Sequence, residues 1–240
     1  YVAISVCSLM ISTCILLEIS VPLFAIGILF LGTILSYYFT KQGNFNIYST
    51  WWILCIIASL FCFFPLQKNS KIIVIINSIL SVFYILPIPK KNLRSLAFLK
   101  IFIVAFCWVL GSVWLPTCEE KYSINSYTYW LSIQYFLWVI VLILPFDIRD
   151  KRYDAPKLTT FPTQFGIIFT KYLGISLILI FLIISFCINS RNFIWYSQLI
   201  SAIATILLLW FSKEKQSPYY CSFWVESVPI FYLILLIFLK

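Results

Sequence analysis

Charge is what this sequence has least of. Only 10% of its 240 residues are charged, whereas 62% are hydrophobic and the mean hydropathy is +1.01. A soluble domain carries about 25% charged residues, because its surface has to be hydrated. This chain has too few polar groups to cover a globule in water. The composition therefore excludes a soluble fold and predicts a protein embedded in a lipid bilayer.

Histidine is absent, which excludes Ser-His-Asp and Cys-His catalysis, histidine-ligated haem and histidine-based metal sites. The eight cysteines form no CxxC pair, and most lie in apolar runs, which indicates packing residues rather than disulfides or a zinc site. Any metal is therefore expected to have oxygen ligands. The net charge of +9 does not indicate a nucleic-acid partner, because the basic residues lie mostly between apolar runs, as membrane topology requires.

Nine apolar runs are long enough to span a bilayer, which needs about 20 residues with a range of about 17 to 25. The short connections leave no room for a soluble domain, so we predict a single all-α, polytopic membrane domain over residues 1–240. The chain is already apolar at Tyr1, without a basic segment before it, and we expect a trimmed N-terminus rather than a signal peptide. The predicted spans are 1–17, 21–40, 50–66, 72–88, 96–115, 127–146, 166–188, 193–211 and 223–239.

The basic residues are distributed unequally between the two sides of this predicted topology. If the loop after the second span is cytoplasmic, 12 of the 17 basic residues lie on that side, as the positive-inside rule expects. The connection with Glu119 and Glu120 then lies outside. The basic residues on the predicted cytoplasmic side are Lys41, Lys90, Lys91, Arg94, Lys100, Arg149, Lys151, Arg152, Lys157, Lys171, Lys213 and Lys215.

All the aspartates of the chain, Asp147, Asp150 and Asp154, fall within eight residues where the sixth span ends. On a helix, this spacing places them within about 60° of one another. Mg²⁺ typically binds one or two carboxylates together with substrate phosphate oxygens, and basic groups nearby can bind the outer oxygens. The pattern favours a Mg²⁺-diphosphate site over an ordinary solvated loop. The basic residues among the aspartates are Arg149, Lys151 and Arg152.

Two further groups of charged residues can each be interpreted in two ways. Lys90, Lys91 and Arg94, after the fourth span, are either a positive-inside anchor or another wall of the same anion site. Glu226 lies in the first turn of the last span. An acid at membrane depth is a candidate site residue, but this side chain could also simply reach the membrane interface.

Nine spans with an Asp-rich motif after the sixth resemble the UbiA superfamily of intramembrane prenyltransferases. That family carries Asp-rich motifs at the cytoplasmic ends of helices two and six, and the second has the form DxxxD, often with another Asp three residues earlier. The three aspartates match this form, and the basic segment 90–94 resembles the one that follows the family's fourth helix. By the number of spans, the resemblance covers the whole chain. A specific sequence motif supports it only at the three aspartates after the sixth span.

The family's first motif, NDxxDxxxD, has no counterpart in this chain. Near the end of the second span, residues 35–44 read LSYYFTKQGN and contain no acid; Tyr37, Tyr38 and Lys41 occupy roughly the motif's place. Two interpretations follow from the resemblance. Either a single Mg²⁺ suffices, with Lys41 offsetting phosphate charge, or the protein no longer catalyses prenyl transfer.

The resemblance implies a transferase of alkyl or aryl groups other than methyl. Mg²⁺, an isoprenyl diphosphate and a lipophilic acceptor would be its partners, in a bacterial cytoplasmic membrane with the Asp-rich loop in the cytoplasm. It assigns Asp150 and Asp154 to the metal, with Asp147 assisting, and it makes Tyr37, Tyr38 and Tyr153 cavity-lining candidates able to stabilise a cation. The expected diphosphate ligands are Lys41, Lys90, Lys91, Arg94, Arg149, Lys151 and Arg152.

Two alternatives stay open from the sequence. The missing first motif favours a non-catalytic UbiA-like protein that binds a lipid or a partner protein. A membrane transporter is less favoured, because transport sites usually place polar groups near the bilayer midplane, on broken helices in repeated halves. Apart from Asn77 and Gln134, the predicted spans contain few such groups and no evident repeat.

Overall fold

The computed structural model describes residues 1–42, 50–85, 99–151, 160–188 and 191–240. All regular secondary structure within these ranges is helical, which confirms the all-α prediction. The elements are α1 (Val2–Leu17), α2 (Leu23–Gln42), α3 (Thr50–Phe63), α4 (Lys68–Ile85), α5 (Leu99–Val109), α6 (Leu115–Glu119), α7 (Ser126–Asp150), α8 (Phe161–Gln164), α9 (Ile167–Ile188), α10 (Asn192–Trp210) and α11 (Val228–Leu239), with π-helical segments at Leu110–Trp114 and Tyr220–Val225.

Six of the described helical segments are long and apolar enough to cross a membrane, three fewer than the nine predicted spans. Helices α1 and α3 are apolar but have only 16 and 14 residues. At 1.5 Å per residue they extend about 24 and about 21 Å, less than the roughly 30 Å hydrocarbon core. The six segments indicate an integral, multi-pass membrane protein. They are Leu23–Thr40, Leu99–Glu119, Ser126–Asp150, Ile167–Ile188, Asn192–Trp210 and Tyr220–Leu239.

Contacts between connections show how the helices alternate in direction. At one end, which we call the glutamate end after Glu18, Glu119 and Glu120, three contacts join the connections after α1, α3, α6 and α9. They therefore lie side by side at one end of the bundle. The contacts are Arg191 Nη2 to Glu18 Oε1 at 2.5 Å, the Gln67 N–H to Glu119 Oε2 at 3.0 Å, and the Ser20 hydroxyl to Glu120.

The opposite end, which we call the aspartate end after Asp147 and Asp150, is joined in the same way. Three contacts there link the start of α5 to the end of α7, the start of α9 to the end of α10, and the residue after α7 to the segment before α11. Successive long helices therefore run in opposite directions. The contacts are Lys100 Nζ to Asp147 Oδ1 at 2.6 Å, Lys171 Nζ to the Trp210 carbonyl at 2.5 Å, and Lys151 Nζ to Glu214 Oε1 at 2.9 Å.

Helix α7 is the central element of the bundle and carries the aspartates at its last turn. Asn125 caps its first turn by accepting a hydrogen bond from the Thr128 N–H at 3.1 Å. Its middle is largely buried, with Tyr135 and Trp138 fully enclosed by neighbouring helices. Gly174 of α9 lies at this contact. A Cβ added there would lie 2.3 Å from Leu209 Cδ2 and 3.0 Å from Leu144 Cδ1, so a larger residue would require these leucine side chains to shift.

A buried polar chain links α7 to α10 and α11. The Gln134 amide donates to Gln198 Oε1 at 3.1 Å, and the Gln198 amide donates to the Tyr232 hydroxyl at 3.2 Å. All three side chains are fully buried. Inter-helix hydrogen bonds of this kind hold membrane helices together, because lipid offers no other partner. These hydrogen bonds join α7, which carries Asp147 and Asp150, to α10 and α11.

Candidate functional site

A cavity of about 940 Å³ lies beside α7. Its described walls come from α1 to α7 and from the start of the last span, and most of the lining side chains are apolar. Both π-helical segments contribute to the wall, through Gly111 and through Val225. Such segments occur frequently at functional sites. The charged residues on the described wall are Lys100, Asp147, Arg149, Asp150 and Glu226.

Asp147 is the most buried of these charged residues. It follows Pro145 by two residues in the last turn of α7 and is 0% exposed, and its Oδ1 lies 2.6 Å from Lys100 Nζ. A buried carboxylate needs a cation beside it, because transferring the charge out of water is costly. The sequence places Lys100 only on the basic side of the membrane and does not predict this pairing. The one feature of the sequence that could have indicated this pair is the isolated Lys100 in the first turn of an otherwise apolar helix.

Asp150 ends α7 and forms a pair with its neighbour. Arg149 Nε lies 2.7 Å from Asp150 Oδ1, with side-chain exposures of 21% and 35%. The guanidinium also lies over the Phe146 ring, 5.3 Å from its centroid. Arg149, predicted to bind a diphosphate, is thus on the cavity wall but already engaged with a carboxylate. Any anion that binds Arg149 would share it with Asp150.

The end of α2 contributes to the same cavity. Tyr37 and Thr40 on α2 line it together with Asp147 and Asp150, and Tyr37 is 50% exposed. The end of α2 and the end of α7 therefore face one cavity, as the interpretation of a single site requires.

Two other predicted residues have different surroundings. Among the described residues, neither Tyr38 nor Lys151 lines the cavity. Tyr38 packs edge-on against Phe39, with ring centroids 5.6 Å apart. Lys151 pairs with Glu214 instead, at 2.9 Å and with both side chains about one third exposed. An alternating charge run sends successive side chains to different faces, so only part of it reaches the cavity.

Glu226 is a further acid at the cavity that the aspartate motif does not include. It immediately follows the π-helical segment Tyr220–Val225, and its backbone N–H donates to the Cys221 carbonyl at 3.2 Å. Its half-buried side chain lines the cavity. In the described part of the chain, its carboxylate makes no hydrogen bond or ion pair. Of its two sequence interpretations, the cavity position favours a site residue.

No family model, no curated protein and no solved structure matches this chain. The function therefore has to follow from the chemistry of the site.

Several predicted site residues lie outside the described residues, so the aspartate cluster is described only in part. Within the described ranges, no group of three or more His, Cys, Asp or Glu residues could hold a metal ion. The described cavity wall carries two carboxylates, Asp147 and Asp150, and Mg²⁺ in proteins commonly uses one or two beside phosphate oxygens. The residues outside are Lys90, Lys91, Arg94, Arg152, Tyr153 and Asp154, together with the side chain of Lys41.

Proposed function

We propose that this chain is a UbiA-like membrane prenyltransferase that crosses the bilayer nine times, with the aspartate end in the cytoplasm. It would bind Mg²⁺ and an isoprenyl diphosphate and transfer the isoprenyl group to a lipophilic acceptor. One observation carries the proposal. A largely apolar cavity of about 940 Å³ has Asp147, Asp150, Lys100 and Arg149 on its wall at one end of the bundle. That volume lies near the upper end of the range for small-molecule sites.

The charged wall suits the diphosphate part of such a substrate. Lys100 and Arg149 supply cationic donors, and Arg149 can bind phosphate oxygens through two N–H groups at once. Asp150 and Asp154, assisted by Asp147, would hold Mg²⁺, which when bound supplies charge stabilisation for a leaving diphosphate. The residues at the site would thus orient the diphosphate and balance its charge.

The apolar wall suits the isoprenyl part. Its side chains exclude water that would otherwise react with an allylic cation. Tyr37 offers an aromatic face close to the charged wall, and aromatic faces stabilise cations. The acid missing from α2 is the main departure from the family pattern. Glu226 lies on the same cavity wall and is positioned to offset part of that loss.

The proposal is tested by the binding of farnesyl diphosphate to detergent-purified protein with Mg²⁺ or with EDTA. We expect Mg²⁺-dependent binding that Asp150→Asn and Asp154→Asn each weaken by at least about tenfold, as the loss of a group that supports a metal typically does. Glu120→Gln is the matched control, because it removes a carboxylate from the opposite end. Binding that is unaffected by EDTA and by both aspartate variants would rule out this site.

A non-catalytic protein that binds the same ligand is the second candidate. It is favoured by the two ion pairs, Lys100–Asp147 and Arg149–Asp150, which engage both described aspartates, and by the absence of an acid from α2. The two candidates differ in the release of inorganic diphosphate. Protein that binds farnesyl diphosphate with Mg²⁺ but releases no diphosphate with phenolic, haem or lipid acceptors would support the non-catalytic candidate.

A further inference from the structure

Helices α9 and α10 present an apolar face to the outside of the bundle. On α10, Ile200, Ile203 and Leu207 are exposed, and their spacing of three and four residues places them on one side of the helix. On α9, Leu179 and Ile183 are exposed in the same way. An exposed apolar face of a membrane-spanning helix contacts lipid acyl chains, because the bilayer core holds no water. We call this surface the α9–α10 face.

Ring contacts show that the two helices lie side by side along this face. The ring centroids of Tyr172 and Trp210 are 6.1 Å apart near the aspartate end, and those of Phe186 and Trp195 are 6.3 Å apart towards the glutamate end. Phe186 follows Tyr172 by 14 positions, which is about 21 Å along the helix axis. One leaflet contributes about half of the roughly 30 Å hydrocarbon core. The α9–α10 face is therefore long enough for the acyl chains of a phospholipid in the leaflet next to the aspartate end.

Lys171 lies at the aspartate end of this face, and its position is fixed by α10. Its Nζ donates to the Trp210 carbonyl at 2.5 Å and lies 5.8 Å from the centroid of the Trp210 ring. Trp210 ends α10, so its carbonyl is one of those left without a partner within the helix. An ammonium group has three N–H donors. Two donors of Lys171 therefore remain for a further acceptor.

A second cation, Lys213, follows Trp210 by three residues. Its Cα is consequently at most about 11 Å from the Trp210 Cα, and its side chain is exposed. In the described part of the chain, neither Lys171 nor Lys213 pairs with a carboxylate, and the adjacent Glu214 pairs with Lys151 instead. Two uncompensated positive charges thus lie at the end of a face that contacts lipid.

The aromatic residues at this position mark the level of the membrane interface. Tyr172 is 59% exposed and Trp210 is 46% exposed, and both types are enriched where acyl chains meet headgroups. The lysines beside them are therefore at headgroup level, above the apolar face. Basic pockets between membrane helices at this level bind anionic headgroups.

We infer that Lys171 and Lys213 bind the phosphate of an anionic phospholipid whose acyl chains lie along the α9–α10 face. A zwitterionic lipid suits the site less well, because its own ammonium group offsets the charge of its phosphate. The inference goes beyond the proposed function. It concerns the outer surface of the bundle, and among the described residues neither lysine lines the cavity.

Native mass spectrometry of the detergent-purified full chain tests this preference with dioleoyl phosphatidylglycerol and dioleoyl phosphatidylcholine. We expect the unaltered protein to bind phosphatidylglycerol more tightly. Lys171→Gln and Lys213→Gln should each weaken that binding by about fivefold, the usual contribution of one lysine beside anionic lipid, and leave phosphatidylcholine binding unchanged. Equal affinity of the unaltered protein for the two lipids would overturn the inference.

Lys71→Gln is the matched control. Lys71 Nζ also lies 5.8 Å from an aromatic centroid, that of Phe63, but near the start of α4 at the glutamate end. This variant should leave the affinity for phosphatidylglycerol unchanged. If it weakens binding as much as Lys171→Gln does, the preference is a general attraction between a basic protein and anionic lipid, and the site is wrong.

Two further measurements on the unaltered protein decide the outcome even if the lysine variants fail to fold. Phosphatidylglycerol with a diazirine in its acyl chain should label peptides of α9 and α10, and labelling confined to other helices would refute the inference. Inorganic phosphate in excess should not displace the lipid, because it cannot use the apolar face. Displacement would assign the lysines to a small anion instead. Mg²⁺ and prenyl diphosphate are absent throughout, so the proposed function stays separately testable.

Discussion

The two ends of the helix bundle use the same kinds of charged residue for different purposes. At the glutamate end, the Glu18 and Arg191 side chains of the ion pair are 64% and 43% exposed, so they stay in contact with water. At the aspartate end, Asp147 is fully buried beside Lys100 and borders a large cavity. Exposed pairs contribute little, whereas a buried charge is costly unless it is compensated. The candidate site is therefore distinguished by the burial of its ion pair beside a cavity. Charge alone does not distinguish it from the exposed Arg191–Glu18 pair, which only links two connections between helices.

The largest effect is expected from Lys100→Met. This substitution leaves the Asp147 carboxylate buried and without the ammonium group now 2.6 Å away. Removing one member of a buried ion pair costs about 3–5 kcal/mol. We expect the free energy of unfolding, measured by titration with SDS in mixed micelles, to fall by that amount.

Lys151→Met is the control for this substitution at the same end. Its pair with Glu214 is about one third exposed, and loss of such a pair typically costs about 0–1 kcal/mol. The double variant Lys100→Met/Asp147→Leu should recover most of the lost stability, because it removes the uncompensated charge as well. If Lys100→Met and Lys151→Met lower the free energy of unfolding equally, burial does not determine how much each ion pair contributes to stability.

Much of the fold was predictable because it depends on local patterns. Apolar length predicted helices, and the spacing of Asp147 and Asp150 correctly placed both at one helix end. The predicted span 50–66 was too long, since α3 ends at Phe63, shortly before Pro65. The apolar run 96–115 predicts one continuous span. In the structure, the hydrogen bonding of this span changes from α-helical to π-helical at Leu110, which hydropathy cannot predict.

The composition of the site was less predictable, because it depends on contacts between distant segments. Lys100 and Asp147 are 47 positions apart, and no local pattern joins them. Glu226 comes to the cavity from the last span, a position that the sequence could indicate only as an acid at membrane depth. Likewise, the burial of Asn77 Oδ1 without a hydrogen bond to a described residue results from the packing of α4 against α5 and cannot be predicted from the sequence.

An intermediate effect is expected from Glu226→Gln, which sharpens the comparison between acids at the two ends. Glu226 is half-buried at the cavity and has no described ion-pair partner. Replacing its carboxylate with a neutral amide removes a desolvation cost, so we expect the free energy of unfolding to rise by about 1 kcal/mol. Titration with SDS measures this change.

Glu120→Gln at the glutamate end is the counterpart of that substitution. Glu120 accepts a hydrogen bond from Ser20, and the variant weakens this contact, so the free energy of unfolding should fall slightly. Opposite signs at the two ends would indicate that Glu226 is retained at a cost in stability, as functional residues often are. A loss of stability with Glu226→Gln would instead assign that carboxylate a structural role.

The smallest effect is expected from Arg191→Gln at the glutamate end. The pair with Glu18 joins the connections after α1 and α9, but both side chains are substantially exposed. Such pairs contribute about 0–1 kcal/mol, and high salt screens them. A double-mutant cycle with Glu18→Gln, measured at low and high ionic strength, isolates the interaction. A coupling energy above about 2 kcal/mol that persists in high salt would contradict the comparison, because the glutamate end would then hold a compensated, effectively buried pair as the aspartate end does.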